Sequence, residues 1–335
     1  MRIVSSYNEE WEKKYLCNRI GDYEIQFLDG ILQDHDYIRD DEAEVLSVFV
    51  KSVVGAKEMD QFPKLKAIVT RSTGFDHIDL KEAKKRGISV SNVPTYGENT
   101  VAEYVFALLL TISRCMFESY ERILKTGKFS PDGLRGFDLK GKTLGVVGTG
   151  HIGANVIRIA KGFDMNVIAC SVQENEELSQ ALGFTYVNFD ELLGCSDVIT
   201  FHVPYNDGTH HMINVDNINK IKRGAYLINT ARGGIVQTKA LLAALEQGIL
   251  RGAGLDVLEE EGYMQDDMEL LTDPHPNPES LQTVLTNQYL IDHPRVIIVP
   301  HNAFNTKEAI ERILDTTAAN IKAAANDEPI NLVGV

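Results

Sequence analysis

Residues 143–153 constrain the fold of this chain more than any other segment. They read Thr-Leu-Gly-Val-Val-Gly-Thr-Gly-His-Ile-Gly, a short apolar run that breaks into glycines before a helical pattern begins. In a strand, tight turn and helix start, Gly148 permits the turn, Gly150 lets the backbone approach a ligand, and Gly153 lets the helix pack on its strand. Amides at that helix N-terminus favour an anion. The segment therefore predicts a dinucleotide site that holds a pyrophosphate, rather than a glycine-rich hairpin turn.

Composition and charge argue against several classes of protein. A chain of 335 residues is long for one hydrophobic core, so two domains are expected. The formal net charge of −15 argues against a nucleic-acid partner, because binding a phosphate backbone requires basic residues. The longest apolar stretch, residues 105–112, is too short to span a bilayer, and residues 1–5 enter a strand pattern without a signal-peptide core. We therefore expect a cytoplasmic protein without a membrane partner.

The cysteines and a pair of histidines predict neither a disulfide framework nor a metal site. The four cysteines lie far apart without a Cys-x-x-Cys motif, which favours buried free thiols. His210 and His211 have no third ligand at a useful spacing, so we interpret them as structural and expect no metal. The cysteines are Cys17, Cys115, Cys170 and Cys195.

The residues before the glycine-rich segment predict a separate α/β domain. Short β-rich runs alternate with polar helical stretches, a pattern typical of strand–helix units on a parallel sheet. Because the glycine motif arrives only at Gly148, these residues need a sheet of their own. The predicted strands are 2–5, 24–28, 45–50, 65–70 and 88–90.

After the glycine motif the strand–helix alternation resumes and predicts a doubly wound sheet. A polar loop at 92–97 leads into a long helical pattern at 100–125, which suits a hinge between domains, and a last helix at 306–325 would return to the first domain. The further predicted strands are 166–169, 198–201, 225–229, 252–256 and 296–299, and the predicted helices are 152–161, 174–182, 189–193, 215–221 and 239–247.

The loop at 71–79 follows a predicted strand and has two interpretations. Ligands sit beyond the carboxyl ends of parallel strands, and Gly74 could expose neighbouring amides to an anionic substrate. The alternative is an ordinary strand-to-helix turn with Asp79 as the helix N-cap. The sequence leaves both interpretations open.

Three residues after predicted strands supply the groups that a nicotinamide enzyme needs to act on a carbonyl. Such a site needs a proton donor, a group that orients it, and a cation for the substrate's charge. Arg232 follows a strand among small residues and can form a bidentate contact with a carboxylate, His301 follows the last strand, and Glu261 ends an acidic run. Singly, a surface histidine or a solvated acidic run is the commoner interpretation. Together, at strand ends of one nucleotide fold, they favour an active site.

Five motifs resemble the D-isomer-specific 2-hydroxyacid dehydrogenases in order and spacing along most of the chain, and His-Asn-Ala-Phe at 301–304 resembles the D-lactate dehydrogenase branch. The motifs are 146–153, 202–214, 229–234, 255–257 and 300–301. The resemblance implies an α/β fold of two domains with a cleft between them: a Rossmann doubly wound parallel sheet at 99–301 and a flavodoxin-like substrate domain at 1–98 with 302–335. It also implies a homodimer, which the apolar helix at 101–112 would favour.

The same resemblance implies reduction of a small 2-oxo acid, pyruvate in the first place, to the D-2-hydroxy acid by hydride from NAD(P)H. Arg232 would bind the substrate carboxylate, protonated His301 would protonate the carbonyl oxygen, and Glu261 would hydrogen-bond His301. Larger branched or aromatic 2-oxo acids, or a non-catalytic NAD(H)-sensing role, remain alternatives. The implied substrate-binding residues are Thr73, Gly74, Tyr96, Phe304 and, on the pocket wall, Phe49. The implied cofactor-binding residues are Gly148, Gly150, His151, Ile152, Gly153, Ser171, Val203, Pro204, Thr230 and Asp256.

Two features leave details of this site open. Ser171 stands where NAD-specific members of the family have an aspartate, and residues 172–177 contain no arginine or lysine to hold a 2′-phosphate. We expect NAD(H) with weakened discrimination, and NADP(H) stays possible. The choice of Glu261 over Glu259 or Glu260 rests on its five-residue offset from Asp256, since the linker at 266–292 carries acids of its own.

Overall fold

The computed structural model describes residues 1–35, 38–262 and 277–334. Residues 266–276 of the predicted linker at 266–292 therefore lie outside the described residues. The chain divides into two compact units. The first unit comprises Met1–Tyr96 with Asn305–Val335, and the second comprises Gly97–Phe304.

The first unit is a parallel sheet of five strands with the order β2-β1-β3-β4-β5. All five predicted strands are confirmed, and the order is that of flavodoxin-like folds. The strands are β1 Arg2–Tyr7, β2 Glu24–Asp29, β3 Ala43–Val48, β4 Ala67–Thr70 and β5 Ser89–Ser91. The described helices of this unit are α1 Glu10–Ile20, α2 Ala56–Met59, α3 Leu80–Lys85 and, at the C-terminus, α11 Lys307–Ala325.

Burial on both faces explains why three of the four residues of the inner strand β4 are apolar. Every residue of β4 is buried. Helix α11 begins at the N-cap Thr306, whose side chain accepts a hydrogen bond from the Ala309 amide, and it packs against β3, β4 and α1. Asp79 caps α3 by accepting the amide of Glu82, as one of the two interpretations of the loop at 71–79 requires.

The second unit is a parallel sheet of seven strands with the order β12-β11-β10-β9-β6-β7-β8. The order reverses between β9 and β6, which places the glycine motif at the switch point of a doubly wound sheet. The strands are β6 Thr143–Val147, β7 Asn166–Cys170, β8 Thr185–Tyr186, β9 Val198–Phe201, β10 Ala225–Asn229, β11 Leu250–Leu255 and β12 Val296–Ile298. The described helices are α4 Glu98–Ser113, α5 Met116–Thr126, α6 His151–Gly162, α7 Glu176–Leu182, α8 Phe189–Cys195, α9 Thr238–Glu246 and α10 Pro278–Ile291.

The single long helix predicted at 100–125 is wrong, because the chain forms α4 and α5 with a bend of 58° between them. Cys115 between the two helices has a left-handed φ of 49°. The chain returns to this point from another loop: the Phe137 amide donates to the Ser113 carbonyl, and a Cβ on Gly136 would lie 2.0 Å from the same oxygen. This return of the chain uses the last carbonyls of α4. No single helix among the described residues is long and apolar enough to cross a membrane, although the bent pair α4 and α5 together reaches that length and composition.

Two other local predictions are wrong. The helix expected at 215–221 is only a 3₁₀ turn at Ile218–Lys220, because the side chains of Asn214 and Asn217 accept nearby backbone amides and compete with helix formation. The cysteines are free but are not buried. Cys17 and Cys195 are exposed, and Cys115 and Cys170 are partly exposed.

Candidate active site

The glycine motif forms the predicted strand, turn and helix start, with β6 leading through the turn into α6. Gly148 has a φ of +94°, and a Cβ there would lie 2.4 Å from the His202 carbonyl oxygen. A Cβ on Gly153 would lie 2.0 Å from the Gly148 carbonyl oxygen. A Cβ on Gly150 would meet nothing within 4 Å. Two of the glycines therefore serve the packing of the protein, whereas Gly150 leaves space for a ligand at the N-terminus of α6.

The surroundings of this turn fit a dinucleotide. The hydroxyl of Thr230, just beyond β10, is buried and has no hydrogen-bond partner among the described residues. Such an orphaned group is what a bound ligand with polar atoms would satisfy. The other predicted cofactor residues also lie near strand ends or the helix start: exposed His151 and partly buried Ile152 in the first turn of α6, and Val203 and Pro204 after β9.

Ser171 directly follows β7, and residues 172–177 beyond it are all exposed. Tyr186 ties this region to the glycine motif, because its hydroxyl lies 2.9 Å from Thr149 Oγ1 and accepts the Asn175 amide at 3.1 Å. These contacts fix the backbone next to Ser171 without adding a basic side chain. The preference between NAD(H) and NADP(H) therefore stays a prediction.

Asp256 follows β11 and holds the turn that carries His301. Its carboxylate accepts the amide of Asn302 at 2.7 Å and that of Ala303 at 3.1 Å, and its carbonyl accepts the amide of His301 at 2.9 Å. Asp256 is 1% exposed, and burial raises its pKa to about 6, although the two amides act in the opposite direction. The resemblance implied only a cofactor contact for Asp256. This anchoring role was missed, although a buried acid at a strand end is a signal for it.

His301 and Glu261 form a hydrogen-bonded pair. His301 Nδ1 lies 2.8 Å from Glu261 Oε1, and the two side chains are 24% and 35% exposed. His301 has a left-handed φ of 50°, held by its amide bonds to the Asp256 and Val299 carbonyls. Because Nδ1 faces the carboxylate, Nε2 is the nitrogen that can exchange a proton with a ligand. The predicted hydrogen bond between these two residues is therefore confirmed.

The three glutamates of the acidic run differ in their hydrogen-bond partners. Glu259 accepts from His211 Nε2 and from the Thr238 amide. Glu260 accepts from the Ser280 hydroxyl at 3.1 Å. Only Glu261 among them reaches His301, as the offset from Asp256 predicts.

Arg232 lies in a glycine loop after β10 and is partly buried. Its Nη1 donates to the Ala231 carbonyl at 2.8 Å, and its own carbonyl accepts from Asn229 Nδ2 at 2.9 Å. A Cβ on Gly233 would lie 2.0 Å from the Leu258 carbonyl, so the arginine loop touches the turn that leads to Glu261. Since β10, β11 and β12 are neighbours, Arg232, Asp256 and His301 all emerge at the same edge of the sheet.

The paired histidines make several contacts at this sheet edge. Their rings stack at 3.7 Å, His210 bonds the Tyr205 hydroxyl, and His211 bonds Glu259. No group of three potential ligands for a metal ion occurs among the described residues.

Four of the five predicted substrate residues lie in the first unit, on loops that follow β3, β4 and β5. The Thr73 hydroxyl donates to the Val93 carbonyl at 2.8 Å, and the Gly74 carbonyl accepts from Ser72. Tyr96 and Phe49 contact Arg312 and Arg71, respectively. Phe304 lies in the second unit, with its ring centre 6.5 Å from that of His301. Their contact with a substrate stays a prediction.

Comparison with known proteins identifies the family. A family model described as D-isomer specific 2-hydroxyacid dehydrogenase, NAD binding domain, matches residues 106–303. A 2-hydroxyacid dehydrogenase homolog of Haemophilus influenzae is 34% identical over 96% of this chain and 95% of its own length. A glyoxylate reductase of Thermococcus litoralis is 37% identical over 87% of this chain and 84% of its own length. The crystal structure of a D-lactate dehydrogenase from Aquifex aeolicus, complexed with NAD and lactic acid, superposes with a TM-score of 0.86 at 35% identity, covering 97% of this chain and 96% of that one.

These matches agree with the two parallel sheets and with the glycine motif of the second unit. The expected family and the Rossmann-type two-domain fold are therefore confirmed. This chain belongs to the D-isomer specific 2-hydroxyacid dehydrogenase family.

Proposed function

We propose that this protein reduces a small 2-oxo acid, pyruvate in the first place, to the D-2-hydroxy acid with NAD(H), and that the reaction is reversible. The observation that carries the proposal is the 2.8 Å contact between His301 Nδ1 and Glu261 at the sheet edge from which Arg232 also emerges. Similarity over nearly the whole chain to a D-lactate dehydrogenase complexed with NAD and lactic acid supports the choice of substrate.

The mechanism follows from what each side chain can do. The glycine motif at 148–153 would hold the nicotinamide cofactor, which would supply the hydride for the carbonyl carbon. Arg232 binds the carboxylate and polarises the carbonyl through its planar guanidinium. His301 Nε2 gives its proton to the carbonyl oxygen as negative charge develops there. Glu261 holds the imidazole ring in place and stabilises its protonated form, and Asp256 fixes the backbone on both sides of the histidine.

The test is oxidation of NADH with pyruvate by the wild type and three variants. We expect His301→Ala to lower kcat by about 10²–10⁴-fold, because it removes the proton donor. Glu261→Gln keeps the size of the side chain and removes its charge, and we expect a smaller loss. Glu260→Gln, on the same turn but bonded to Ser280, is the matched control and should keep wild-type activity. Wild-type turnover by His301→Ala would refute the proposed proton donor.

Glyoxylate is a second candidate substrate, because a glyoxylate reductase is 37% identical to this chain. Larger branched or aromatic 2-oxo acids are the alternative substrates that the sequence analysis left open. A non-enzymatic role, in which the protein binds NAD(H) as a sensor without catalysis, is the alternative function. A panel of glyoxylate, pyruvate and branched and aromatic 2-oxo acids ranks the substrates by kcat/KM. Binding of NADH without turnover of any acid in the panel would favour the sensing role.

We further propose a homodimer in which the apolar face of α5 contacts a second copy of the chain. The helix at 101–112, on which the sequence-based expectation rested, does not offer such a face, because six of its residues are buried. Helix α5 instead has no buried residue. Its exposed apolar side chains are Met116, Phe117, Tyr120, Ile123 and Leu124. Light scattering should give the mass of a dimer, and Leu124→Glu should shift it toward the monomer; a monomeric wild type would refute this contact.

We also propose that the protein acts in the cytoplasm on free 2-oxo acids, without a nucleic-acid or membrane partner. The net charge of −15 disfavours anionic polymers. Cell fractionation and binding to duplex DNA in low salt are the direct measurements, and recovery in the membrane fraction would contradict the proposed location.

A further inference from the structure

The turn that carries Glu261 is tied to the rest of the protein at Glu259. Glu259 Oε1 lies 2.5 Å from His211 Nε2, and Oε2 accepts the Thr238 amide. The Glu259 carbonyl accepts from Nδ2 of fully buried Asn287 at 2.7 Å. The Glu259 side chain is only 14% exposed. One residue therefore connects this turn to three separate segments of the chain.

The carboxylate that meets His301 has weaker support of its own. The Glu261 side chain is 35% exposed, and among the described residues its one bond besides that to His301 is a long one of 3.4 Å from the Leu258 amide. Between the two glutamates, Glu260 has a left-handed φ of 54°, a backbone conformation that is unfavourable for a non-glycine residue. A turn with such a residue keeps its shape only when its surroundings hold it. The position of Glu261 therefore depends on the anchor at Glu259.

Backbone hydrogen bonds hold His211 in place, so its contact with Glu259 can fix the position of the glutamate turn. Its amide donates to the Gly234 carbonyl at 2.8 Å, and its carbonyl accepts from Asn214 Nδ2 at 2.9 Å. Gly234 belongs to the loop that carries Arg232. His211 thus links the arginine loop to the glutamate turn across a sequence separation of 48 residues from Glu259.

We infer that His211 and Glu259 are a positioning pair, which fixes the backbone so that the Glu261 carboxylate stays against His301 Nδ1. The inference rests on the proposed function and adds two residues to it. Neither residue needs to touch substrate or cofactor for this role. Charged groups near Glu259 are Glu260 and Glu261 on its own turn and the imidazoles of His210 and His211 opposite.

The experiment compares Glu259→Gln and His211→Ala with the matched control Glu260→Gln. Glutamine at 259 loses the charge and one of the two acceptor oxygens, so the charge-assisted bond to His211 Nε2 is lost and the bond to the Thr238 amide is weakened. We expect kcat to fall about 10- to 100-fold, the cost of a reacting group displaced by about 1 Å, while KM for pyruvate changes less than about 3-fold. The alkaline limb of the kcat/KM profile should move to lower pH, because a displaced Glu261 stabilises the protonated imidazole less. His211→Gln, whose amide nitrogen can replace Nε2 as a donor, should restore most of the activity that His211→Ala loses.

Each outcome separates the inference from the proposed function. If Glu261→Gln and His301→Ala retain wild-type turnover, the proposed function fails, and the inference fails with it. If those two variants lose activity while Glu259→Gln and His211→Ala keep the wild-type kcat and pH profile, only the positioning role is overturned. A lower melting temperature with unchanged kcat and pH profile would show a merely structural pair and would also overturn it. Should His211→Ala fail to fold, Glu259→Gln and His211→Gln carry the same comparison.

Discussion

Asp256→Asn tests the physical state of the buried carboxylate that anchors His301. In the native protein Asp256 is 1% exposed, and burial raises its pKa from 3.8 to about 6. Asparagine keeps the size of the side chain and cannot titrate. Comparing the pH dependence of stability in the two proteins therefore isolates the contribution of this one group.

The sign and size of the effect follow from linkage. An unfolded aspartate ionises near its ordinary value, whereas the folded one holds its proton to about pH 6, so between these values the native state binds more protons. The stability of the wild type must therefore fall as pH rises through this window. The gap between the two pKa values corresponds to about 3 kcal/mol. The free energy of unfolding of the variant lacks this decrease. Relative to that of the wild type, it should therefore rise by about 3 kcal/mol between pH 4 and pH 7. Any constant penalty from the altered hydrogen bonds cancels in the comparison.

Urea unfolding of both proteins across this pH range, followed by far-ultraviolet circular dichroism, measures the difference. Trp11, the sole tryptophan, lies in the first unit, so its fluorescence gives an internal reference that the substitution should not change. A wild-type minus variant difference that stays constant within about 1 kcal/mol would refute the reasoning, and so would a change in the opposite direction.

Three further predictions address the cofactor site and the first unit. Gly150→Ala should fold normally and raise the Kd for NADH at least about 10-fold, whereas Gly153→Ala should lower the melting temperature, because only the second Cβ meets protein atoms; equal effects in both assays would contradict the assignment. Ser171→Asp should raise the ratio of kcat/KM for NADH over NADPH, since a carboxylate repels a 2′-phosphate, and an unchanged ratio would show that another residue selects the cofactor. Glu12→Gln should destabilise the first unit by about 3–5 kcal/mol, because it leaves the buried Arg71 guanidinium without its ion-pair partner. Exposed Glu10→Gln is its control, and urea unfolding followed by Trp11 fluorescence is the measurement.

Features fixed by local conformation could be predicted from the sequence. The strands of both sheets, except the two-residue strand β8, follow from short β-rich runs, and the glycine motif follows from backbone requirements at three positions. The break between α4 and α5 could not be predicted, because it depends on Gly136 and Phe137 returning to the end of α4. The helix predicted at 215–221 was wrong, because the prediction rested on the spacing of apolar residues alone. It did not consider that asparagine side chains can hydrogen-bond the backbone amides and so compete with a helix.

The candidate site shows the same division between local and long-range information. The five-residue offset between Asp256 and Glu261, taken together with the family resemblance, indicated the glutamate that meets His301. The bond from His211 to Glu259 spans 48 residues, and nothing in the sequence around the tandem histidines indicates this partner. The anchoring of the His301 turn by Asp256 was also missed, since it depends on the backbone amides of Asn302 and Ala303, which follow the neighbouring strand.

The contacts at this sheet edge imply that the segments that carry the proposed catalytic groups are structurally coupled. The arginine loop touches the glutamate turn where Gly233 meets Leu258, and His211 joins the same two segments a second time. Asp256 joins the histidine turn to β11 through three hydrogen bonds. Residues that share contacts in this way give non-additive effects when they are substituted together. A Gly233→Ala substitution, which forces the Leu258 carbonyl away, should therefore act on Glu261 as well as on Arg232. In a double variant with Glu261→Gln, its effect on kcat should be smaller than in the wild-type background.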